Sequence, residues 1–418
     1  MGPDAVAIVQ GAGLVRRSAD TDYPFRQDSD FWYLTGFGHP EATAILRTTS
    51  SGPRYSLFVQ PRDRAAETWT GYRPGLEGAV ADYGAEQAFD ARTLLEGLPE
   101  LVAGARRIYH ALGRRPALDA KLVETLETLR LQSRRGVAPA AEIVDPRSIL
   151  HEMRLFKSAD ELELMRRAAE ISRAAHLAAS RRAAPGRFEY EIQAMLEFEF
   201  RRRGAAGPAY GSIVAGGANA AILHYVNNDK PLRAGELLLI DAGAELEGYA
   251  SDVTRTSPVG GRFSAAARAA YEVVLAAQLA ALDAAKPGTT LPAIHERTVR
   301  KLVEGMVGLG LLSGAVDELI TREAYKPYYM HSTSHWLGLD VHDAGSYAPG
   351  GQPRVLEPGM VLTIEPGLYV APDDEHAPAA LRGLGIRIED DVVITADGHE
   401  NLTRAIPKKP ADVEASMA

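Results

Sequence analysis

The chain has 418 residues, 46% of them hydrophobic and 24% charged, which is typical of a globular protein with two or three domains. It contains no cysteine, so disulfides, a thiolate nucleophile and a thiolate metal site are excluded. A formal net charge of −9 argues against general nucleic-acid binding, and no apolar run approaches the roughly 20 residues of a membrane-spanning helix. The N-terminus also lacks a signal-peptide pattern, so we expect a soluble cytoplasmic protein without nucleic-acid or membrane partners.

The predicted elements of the first part of the chain are short strands mixed with helices. The stretches EATAIL and YSLFVQP are predicted strands ended by turn residues, and DAKLVETLETLRLQSRR is a predicted exposed helix. Ser158 followed by Glu161 is a capping-box pattern that begins a long helix with leucines at helical spacing. We therefore place a domain boundary just before it, which gives an N-terminal domain of residues 1–149 and a second domain of residues 150–418.

The second part alternates predicted helices with strands and ends mostly in strand and loop. A strand is predicted near 211–215, and the stretches MVLTIEPGLYV and GIRIEDDVVITADG are predicted strands of the C-terminal third. This pattern suits an α+β domain with an antiparallel sheet and helices on one face. The predicted helices span 158–182, 188–203, 264–285 and 290–309.

The segment LLLIDAGAELEGYASDVTRT contains two aspartates that we expect to share one face of a hairpin. An apolar strand ends at Asp241, a turn lies near ELEG, and a second strand carries Asp252. Paired positions in a hairpin with an even-numbered loop have an odd sum, so both side chains point to the same face. A turn centred between Leu246 and Glu247 makes them direct cross-strand neighbours, whereas a turn centred on Glu247–Gly248 makes them diagonal neighbours.

Further carboxylates end or line apolar strands. Glu365 ends the strand in MVLTIEPGLYV, and Arg387 and Glu389 share one face of the strand in GIRIEDDVVI. Close, partly buried like charges destabilise a sheet unless a cation lies between them. Each acidic residue alone could instead form a surface ion pair or face solvent at a ribbon edge. The four together favour a site for divalent cations.

The stretch YMHSTSHWLGLDVHD supplies nitrogen donors for such a site. A lone histidine among apolar residues is usually a core residue, but here His331, His335 and His342 accompany a set of carboxylates. His335 could be a nitrogen ligand, and the other two could be neutral hydrogen-bonding groups for a substrate. Oxygen-rich sites with few nitrogens favour Mn²⁺, Mg²⁺, Fe²⁺ or Co²⁺. A metal pair that shares bridging carboxylates can hold a hydroxide and stabilise a tetrahedral transition state.

These segments, together with ILHY and DYPFRQDSDFWYLTGFGHPEA, resemble the Xaa-Pro aminopeptidase (aminopeptidase P) family of the pita-bread metallopeptidases, relatives of creatinase, prolidase and methionine aminopeptidase. The resemblance covers nearly the whole chain, in order and with family-like spacing. It implies a smaller creatinase-like α/β domain followed by a pita-bread catalytic domain. It also implies a manganese-activated hydrolase that uses a metal-bound hydroxide to remove an N-terminal residue preceding proline, assembled as a homodimer or homotetramer.

The resemblance implies a role for each matching residue. Two divalent ions, manganese foremost with zinc, cobalt or iron as alternatives, would be bound by Asp241, Asp252, His335, Glu365 and Glu389. Glu365 would also act as the base for the bridging water, with Arg387 beside Glu389. His342 would stabilise the developing oxyanion, a contribution of about 3–4 kcal/mol. The other groups implied to surround the substrate are His224, His331, Tyr210, Tyr369 and Trp69.

The sequence departs from the family pattern at two places and leaves other functions open. Ser332 and Thr333 stand where the family usually has Gly-Leu, which restricts the backbone beside His331. The loop SYAPGGQPR has Arg354 as its only charge, so contacts beyond the proline are not predicted. One alternative is a prolidase restricted to Xaa-Pro dipeptides. Another is a non-catalytic pita-bread module that binds peptides, although such modules lose ligands and this chain keeps all five.

Overall fold

The structure is a computed structural model that describes residues 1–49, 52–132 and 139–417. The chain divides into two compact units, Met1–Glu152 and Met153–Ala418. The helix Arg147–Leu155 contains the division between them. Residues 133–135 of the predicted N-terminal helix lie outside the described residues.

The first unit is built on a six-stranded mixed sheet. Its strand β1 (Ala5–Gln10) pairs in antiparallel with β4 and in parallel with β7, and is buried along its whole length. Side chains of β1 alternate between two hydrophobic clusters, so helices cover both faces of the sheet. The spatial order is β6-β5-β4-β1-β7-β8, while β2 and β3 form a separate hairpin. The other strands are β2 (Arg16–Ser18), β3 (Thr21–Asp22), β4 (Thr43–Thr49), β5 (Gly52–Val59), β6 (Gln87–Asp90), β7 (Arg107–His110) and β8 (Glu142–Val144).

One helix of this unit is more buried than its sequence suggests. The helices are α1 (Ser29–Thr35), α2 (Arg64–Thr70), α3 (Gly75–Tyr83), α4 (Leu94–Val102), α5 (Pro116–Leu131) and the dividing helix α6 (Arg147–Leu155). We predicted α5 as an exposed helix, but Leu118, Leu122, Leu126 and Leu129 are buried against the sheet. The prediction was wrong for this face because the apolar stripe lies among charged residues that cover only the outer side.

Helices of the second unit begin and end close to the predicted positions. The Ser158 hydroxyl accepts the Glu161 N–H at 3.3 Å, and the Glu161 carboxylate accepts the Ser158 N–H at 2.8 Å, so the predicted capping box is present. The apolar faces of these helices pack on the sheets below. The helices are α7 (Ala159–Ser180), α8 (Glu189–Arg202), α9 (Ala265–Ala284), α10 (Leu291–Gly308), α11 (Val316–Thr321) and α12 (Pro410–Ser416).

The strands of the second unit form small antiparallel sheets, as the alternating pattern predicted. Their spatial orders are β10-β11-β14, β13-β12-β9, β15-β18-β19 and β16-β17. Strands β11, β14, β15 and β18 are fully buried, so any charged group at their ends lies inside the protein. The strands are β9 (Gly207–Pro208), β10 (Ile213–Gly216), β11 (Leu237–Asp241), β12 (Ala244–Leu246), β13 (Tyr249–Ala250), β14 (Thr254–Pro258), β15 (Val361–Ile364), β16 (Gly367–Tyr369), β17 (Gly385–Arg387), β18 (Asp390–Ile394) and β19 (His399–Asn401).

Helix α9 has the length and hydropathy that could cross a membrane, with a mean hydropathy of 1.3 over its most apolar window. The sequence prediction concerned uninterrupted apolar runs, and charged residues interrupt this helix at Arg268, Glu272 and Asp283. Half of this window is buried inside the chain, where Tyr271, Val274 and Leu275 belong to the largest hydrophobic cluster. A core helix passes the same test of composition, and its packing identifies α9 as one.

Candidate metal centre

The hairpin between β11 and β14 places the two predicted aspartates together. Asp241 pairs with Thr254, which sets the turn on Glu247–Gly248, the second of the two predicted positions. Both turn residues have positive φ, 51° and 88°, as the primed turns of tight hairpins require. Asp241 and Asp252 are consequently diagonal neighbours on one face.

Tyr210 shows how close the two aspartates are. Its hydroxyl oxygen lies 2.6 Å from Oδ1 of Asp241 and 2.6 Å from Oδ1 of Asp252. A hydroxyl has one proton and can donate to only one of these oxygens at a time. Burial raises the pKa of Asp241, and it also raises that of the Tyr210 hydroxyl well above its usual value. A cation between the two carboxylates would therefore stabilise this arrangement.

Arg387 and Thr254 connect the hairpin to the carboxylate of Glu389. Arg387 Nη2 donates to Asp241 Oδ2 at 2.6 Å, and its Nε donates to the Thr254 hydroxyl at 3.0 Å. The Thr254 hydroxyl in turn donates to Glu389 Oε2 at 2.6 Å. Burial alone would lower the pKa of Arg387, but its neighbours Tyr369 and Asp241 raise it well above the ordinary value. Arg387 thus remains a buried cation that offsets part of the acidic charge.

The segment 333–337 lies alongside β15 like an additional edge strand. Three backbone hydrogen bonds join it to that side, from Leu337 N to Val361 O (3.1 Å), from Thr363 N to His335 O (3.0 Å) and from Glu365 N to Thr333 O (2.9 Å). This pairing brings His335 and Glu365 to the same end of the sheet, where His335 Nε2 lies 3.6 Å from Glu365 Oε1 and 3.3 Å from Asp252 Oδ2. The histidine stretch and the carboxylates are therefore parts of one site.

The His335 ring is oriented so that one nitrogen faces the carboxylates. Its Nδ1 lies 3.0 Å from the backbone oxygen of Trp336, an acceptor only, so Nδ1 carries a proton and donates it. Burial would lower the pKa of His335, but the hydrogen bond and charge of Asp252 raise it to about 9. The raised pKa means that Nε2 also carries a proton when no cation is bound. A bound cation would displace this Nε2 proton, as expected of an imidazole ligand.

His331 is held as a neutral ring beside this cluster. Its Nδ1 donates to the backbone oxygen of Ser332 at 2.8 Å, and its Nε2 accepts from the Tyr369 hydroxyl at 2.9 Å. Arg387 Nη1 donates to the same hydroxyl at 2.9 Å, which leaves the Tyr369 proton for His331. Burial lowers the pKa of His331 to about 4, so the ring is neutral at pH 7.

The predicted residues converge on one cavity of about 800 Å³. Tyr369 contributes through His331 and Arg387 rather than at the cavity wall. Trp69 belongs to the unit Met1–Glu152, where its side chain is 88% exposed, and its role at the site stays a prediction. The predicted residues that line the cavity are Asp241, Asp252, His335, Glu365, Glu389, Arg387, His224, His331, His342 and Tyr210.

The donor set of this cavity fits divalent cations. Asp252, His335 and Glu389 offer ligand atoms that all lie within 4.8 Å of one another. Burial raises the pKa of Glu365 to about 7, and burial followed by the proximity of Asp252 raises that of Glu389 well above its usual value. The carboxylates thus lack enough positive charge among the described residues, and metal ions bound by oxygen and one imidazole would supply it.

Two polar residues of the site were missed in the sequence. Thr254 shares strand parity with Asp252, two positions earlier, so the period-two pattern could have identified it. Asp391 is 1% exposed and accepts the Asp252 N–H and the Ser251 hydroxyl, at 3.1 Å and 2.9 Å. No local pattern identifies Asp391, because its partners lie between β13 and β14, far away in the chain.

Comparisons with known proteins give matches to both parts of the chain. The model of metallopeptidase family M24 matches residues 163–396, and that of the aminopeptidase P N-terminal domain matches residues 1–109. This chain is 47% identical to the Xaa-Pro aminopeptidase of Escherichia coli K12, over 100% of this chain and 94% of the relative. The Haemophilus influenzae Xaa-Pro aminopeptidase is 42% identical over the same shares.

Solved structures show the same similarity in three dimensions. An aminopeptidase of Pseudomonas aeruginosa superposes with a TM-score of 0.97 at 50% identity, covering 100% of this chain and 94% of that chain. Zinc-substituted Escherichia coli aminopeptidase P in complex with product has a TM-score of 0.96 at 46% identity, over the same shares. The two-domain organisation of these enzymes is therefore also the fold of this chain.

Proposed function

Because the chain belongs to metallopeptidase family M24 and carries the N-terminal domain of aminopeptidase P, we propose that it removes the N-terminal residue from peptides whose second residue is proline. The observation that carries the proposal is one cavity in which three buried carboxylates, the half-buried carboxylate of Glu365 and one imidazole converge. All five side chains that the family resemblance assigns to the metals face this space. The full-length identity of 47% to an Xaa-Pro aminopeptidase supports the choice of substrate.

The ligands of two divalent metal ions in this proposal are Asp241, Asp252, His335, Glu365 and Glu389. When bound, the ions polarise the scissile carbonyl and make water a nucleophile near neutral pH. Arg387 donates a hydrogen bond to Asp241, and Thr254 donates one to Glu389, so both carboxylates are oriented before a metal binds. We propose manganese as the native metal because the donors are mostly oxygen, with zinc, cobalt or iron as alternatives.

Glu365 is the proton carrier of the proposed reaction. Its carboxylate lines the cavity, with Oε1 3.6 Å from His335 Nε2, so it faces the space in which the ions and the attacking water would lie. It takes a proton from the attacking water at a carboxylate oxygen and passes it to the proline nitrogen. The bond between the carbonyl carbon and the proline nitrogen then breaks with its electron pair on the nitrogen. The amino-terminal residue leaves as a carboxylate, and the second proton of the water is taken up by the released proline amine.

The histidines of the cavity bind and orient the substrate. His342 is exposed to the cavity, with its ring centroid 4.4 Å from that of His335, so it can donate to the oxyanion that forms on the carbonyl. Burial lowers its pKa, which favours the neutral ring with one N–H donor. His331 and His224 form the adjoining wall, with the Tyr369 hydroxyl bonded to His331, and the proline ring is placed against this wall in the proposal.

The proposal favours peptides longer than two residues. A dipeptide substrate needs a cation that binds its free carboxylate next to the proline. Among the described residues that line the cavity, Arg387 is the only Lys or Arg, and it is already bonded to Asp241 and Tyr369. Arg354, the charge of the neighbouring loop, stacks over Phe156 and is 8% exposed. These contacts argue against the prolidase alternative.

The test is an assay of metal-reconstituted protein on matched tripeptides. Ala-Pro-Ala should be cleaved to free alanine and Pro-Ala, while Ala-Ala-Ala should be cleaved at least about 100-fold less efficiently if the wall is built for proline. Equal rates on both peptides would show a general aminopeptidase. No cleavage of either, with metal bound, would favour the peptide-binding module.

The cellular site and the assembly are further proposals. We propose a cytoplasmic enzyme assembled as a homodimer or homotetramer, supported by the family resemblance. Sedimentation equilibrium of the metal-loaded chain measures the number of copies. Cell fractionation of the native producer tests the location.

A further inference from the structure

Thr333 lies at the end of the segment that pairs with β15, two residues after His331 and two before His335. It is also one of the two residues by which the sequence departs from the family pattern. Its side chain is buried, with 1% of the residue exposed, and points away from the cavity toward helix α10. Its hydroxyl oxygen lies 2.9 Å from the hydroxyl of Tyr329 and 2.9 Å from Nδ1 of His295 on α10.

This bridge touches the active site through Tyr329. The Tyr329 ring, also 1% exposed, stands edge-on to the His331 ring with the centroids 4.8 Å apart and the planes at 71°. The hydrogen bonds of the His331 ring go to Ser332 and Tyr369, and its Nδ1 also lies 3.7 Å from Glu365 Oε2. Tyr329 therefore supplies the packing that limits tilting of the His331 ring.

The backbone of Thr333 also contacts the metal centre. The carbonyl oxygen of Thr333 accepts the N–H of Glu365 at 2.9 Å, the last hydrogen bond of the ladder along β15. A shift of the Thr333 backbone would move both Glu365 and His331. Glu365 is bonded to it across the ladder, and His331 precedes it in the chain by two residues. The Thr333 hydroxyl attaches this point to α10.

A hydroxyl is well suited to this bridge. It has one proton to donate and two lone pairs to accept, so it can bond to Tyr329 and His295 at once. A valine of the same shape would leave both buried partners without this contact, whereas a serine would keep it.

We propose that Thr333 is a positioning residue of this active site, whose hydroxyl, bonded to Tyr329 and His295, holds the His331 ring and the Glu365 backbone in their working positions. The effect on turnover rests on the proposed function. The effect on the His331 ring does not, and it can be measured in the protein without substrate.

The kinetic test compares Thr333→Val with Thr333→Ser and a matched control. Thr298→Val removes a fully buried hydroxyl on α10 that donates to the Ile294 carbonyl of the same helix at 2.9 Å. With Ala-Pro-Ala and manganese, Thr333→Val should lower kcat about tenfold with KM and metal content nearly unchanged. Thr333→Ser should keep kcat within about threefold of wild type, and Thr298→Val within about twofold.

The second test follows the His331 ring nitrogens by NMR in metal-free protein labelled with ¹⁵N-histidine. The His331 signals should shift in Thr333→Val and stay in place in Thr298→Val. Unchanged signals in Thr333→Val overturn the proposal, as does unchanged kcat in an active enzyme. If the wild type does not cleave Xaa-Pro peptides but the signals still shift, the proposed function fails and the bridge stands. Should Thr333→Val not fold, Tyr329→Phe removes the opposite partner and must show the same loss of kcat and the same shift.

Discussion

The carboxylate of Asp391 accepts the backbone N–H of Asp252 at 3.1 Å, although the two residues are 139 positions apart. This bond joins the strand that follows Glu389 to the hairpin that carries Asp252. Asp391 also accepts the Ser251 hydroxyl and is almost completely buried. Two segments that supply metal ligands are thus fixed to each other by a residue that binds no metal in our proposal.

Replacing Asp391 should therefore weaken the metal site. Asp391→Ala leaves the Asp252 N–H and the Ser251 hydroxyl without an acceptor, which costs about 1–3 kcal/mol in the free energy of unfolding. Metal affinity should fall by roughly 10–100-fold, as for other residues that orient ligands. Urea unfolding and titration with Mn²⁺ measure the two effects. Ser251→Ala, which removes one partner but not the N–H bond, should lose less affinity, and equal losses would contradict this account.

Removal of metal should abolish activity and destabilise the protein. The buried carboxylates repel one another without a cation, so a chelator should lower the melting temperature, and Mn²⁺ should restore both properties. Saturation at about 100 times the dissociation constant corresponds to about 2.7 kcal/mol of stabilisation. Full turnover of protein shown by elemental analysis to be free of metal would contradict the metal-dependent mechanism.

Two histidines whose rings are in contact should behave differently when replaced. His335→Ala should lose metal and activity, because its Nε2 faces the carboxylates. His342→Ala should lower kcat by roughly 100- to 1,000-fold, the usual effect of one oxyanion donor, with nearly unchanged metal content. Metal analysis beside steady-state kinetics separates the two outcomes. The same metal loss in both variants would show that this division of roles is wrong.

His176 should make the protein less stable in mild acid. Burial lowers its pKa to about 4, and its Nε2 donates to the Ala242 carbonyl at 2.8 Å. The unfolded state binds more protons between pH 4 and 6.5, so the free energy of unfolding from this group rises with pH across that window.

The loss on going from pH 6.5 to 4 amounts to about 3 kcal/mol. His176→Gln keeps an N–H donor but does not titrate, so its unfolding free energy should fall less over the same window. Urea unfolding of both proteins in chelator at several pH values checks the difference. Parallel curves would mean that His176 is not held neutral.

Substrate length should separate the two peptidase branches. Since the cavity offers no uncommitted Lys or Arg among its described lining residues, kcat/KM for Ala-Pro-Ala should exceed that for Ala-Pro at least roughly tenfold, or about 1.4 kcal/mol. Both peptides are assayed at the same pH and metal loading. A preference for the dipeptide would place this chain with the prolidases.

Sequence alone determined the features that depend on neighbours in the chain. The capping box at Ser158 sets the start of α7, and strand parity puts Asp241 and Asp252 on one face. Each follows from local geometry, since hydrogen-bond reach and the period of two act over a few residues. The family resemblance added the identity of the ligands, which no local rule supplies.

Tertiary structure decided the features that depend on which surfaces meet. The turn on Glu247–Gly248 was one of two registers that the sequence allowed. The backbone hydrogen bond between Thr333 and Glu365 beside β15 determined on which side of the site His335 lies. The buried face of α5 and the bond from Asp391 to Asp252 likewise required the sheets and helices to be packed. Such contacts join residues far apart in the chain, so their partners are settled only when apolar surfaces close together and every buried polar group must find a bond.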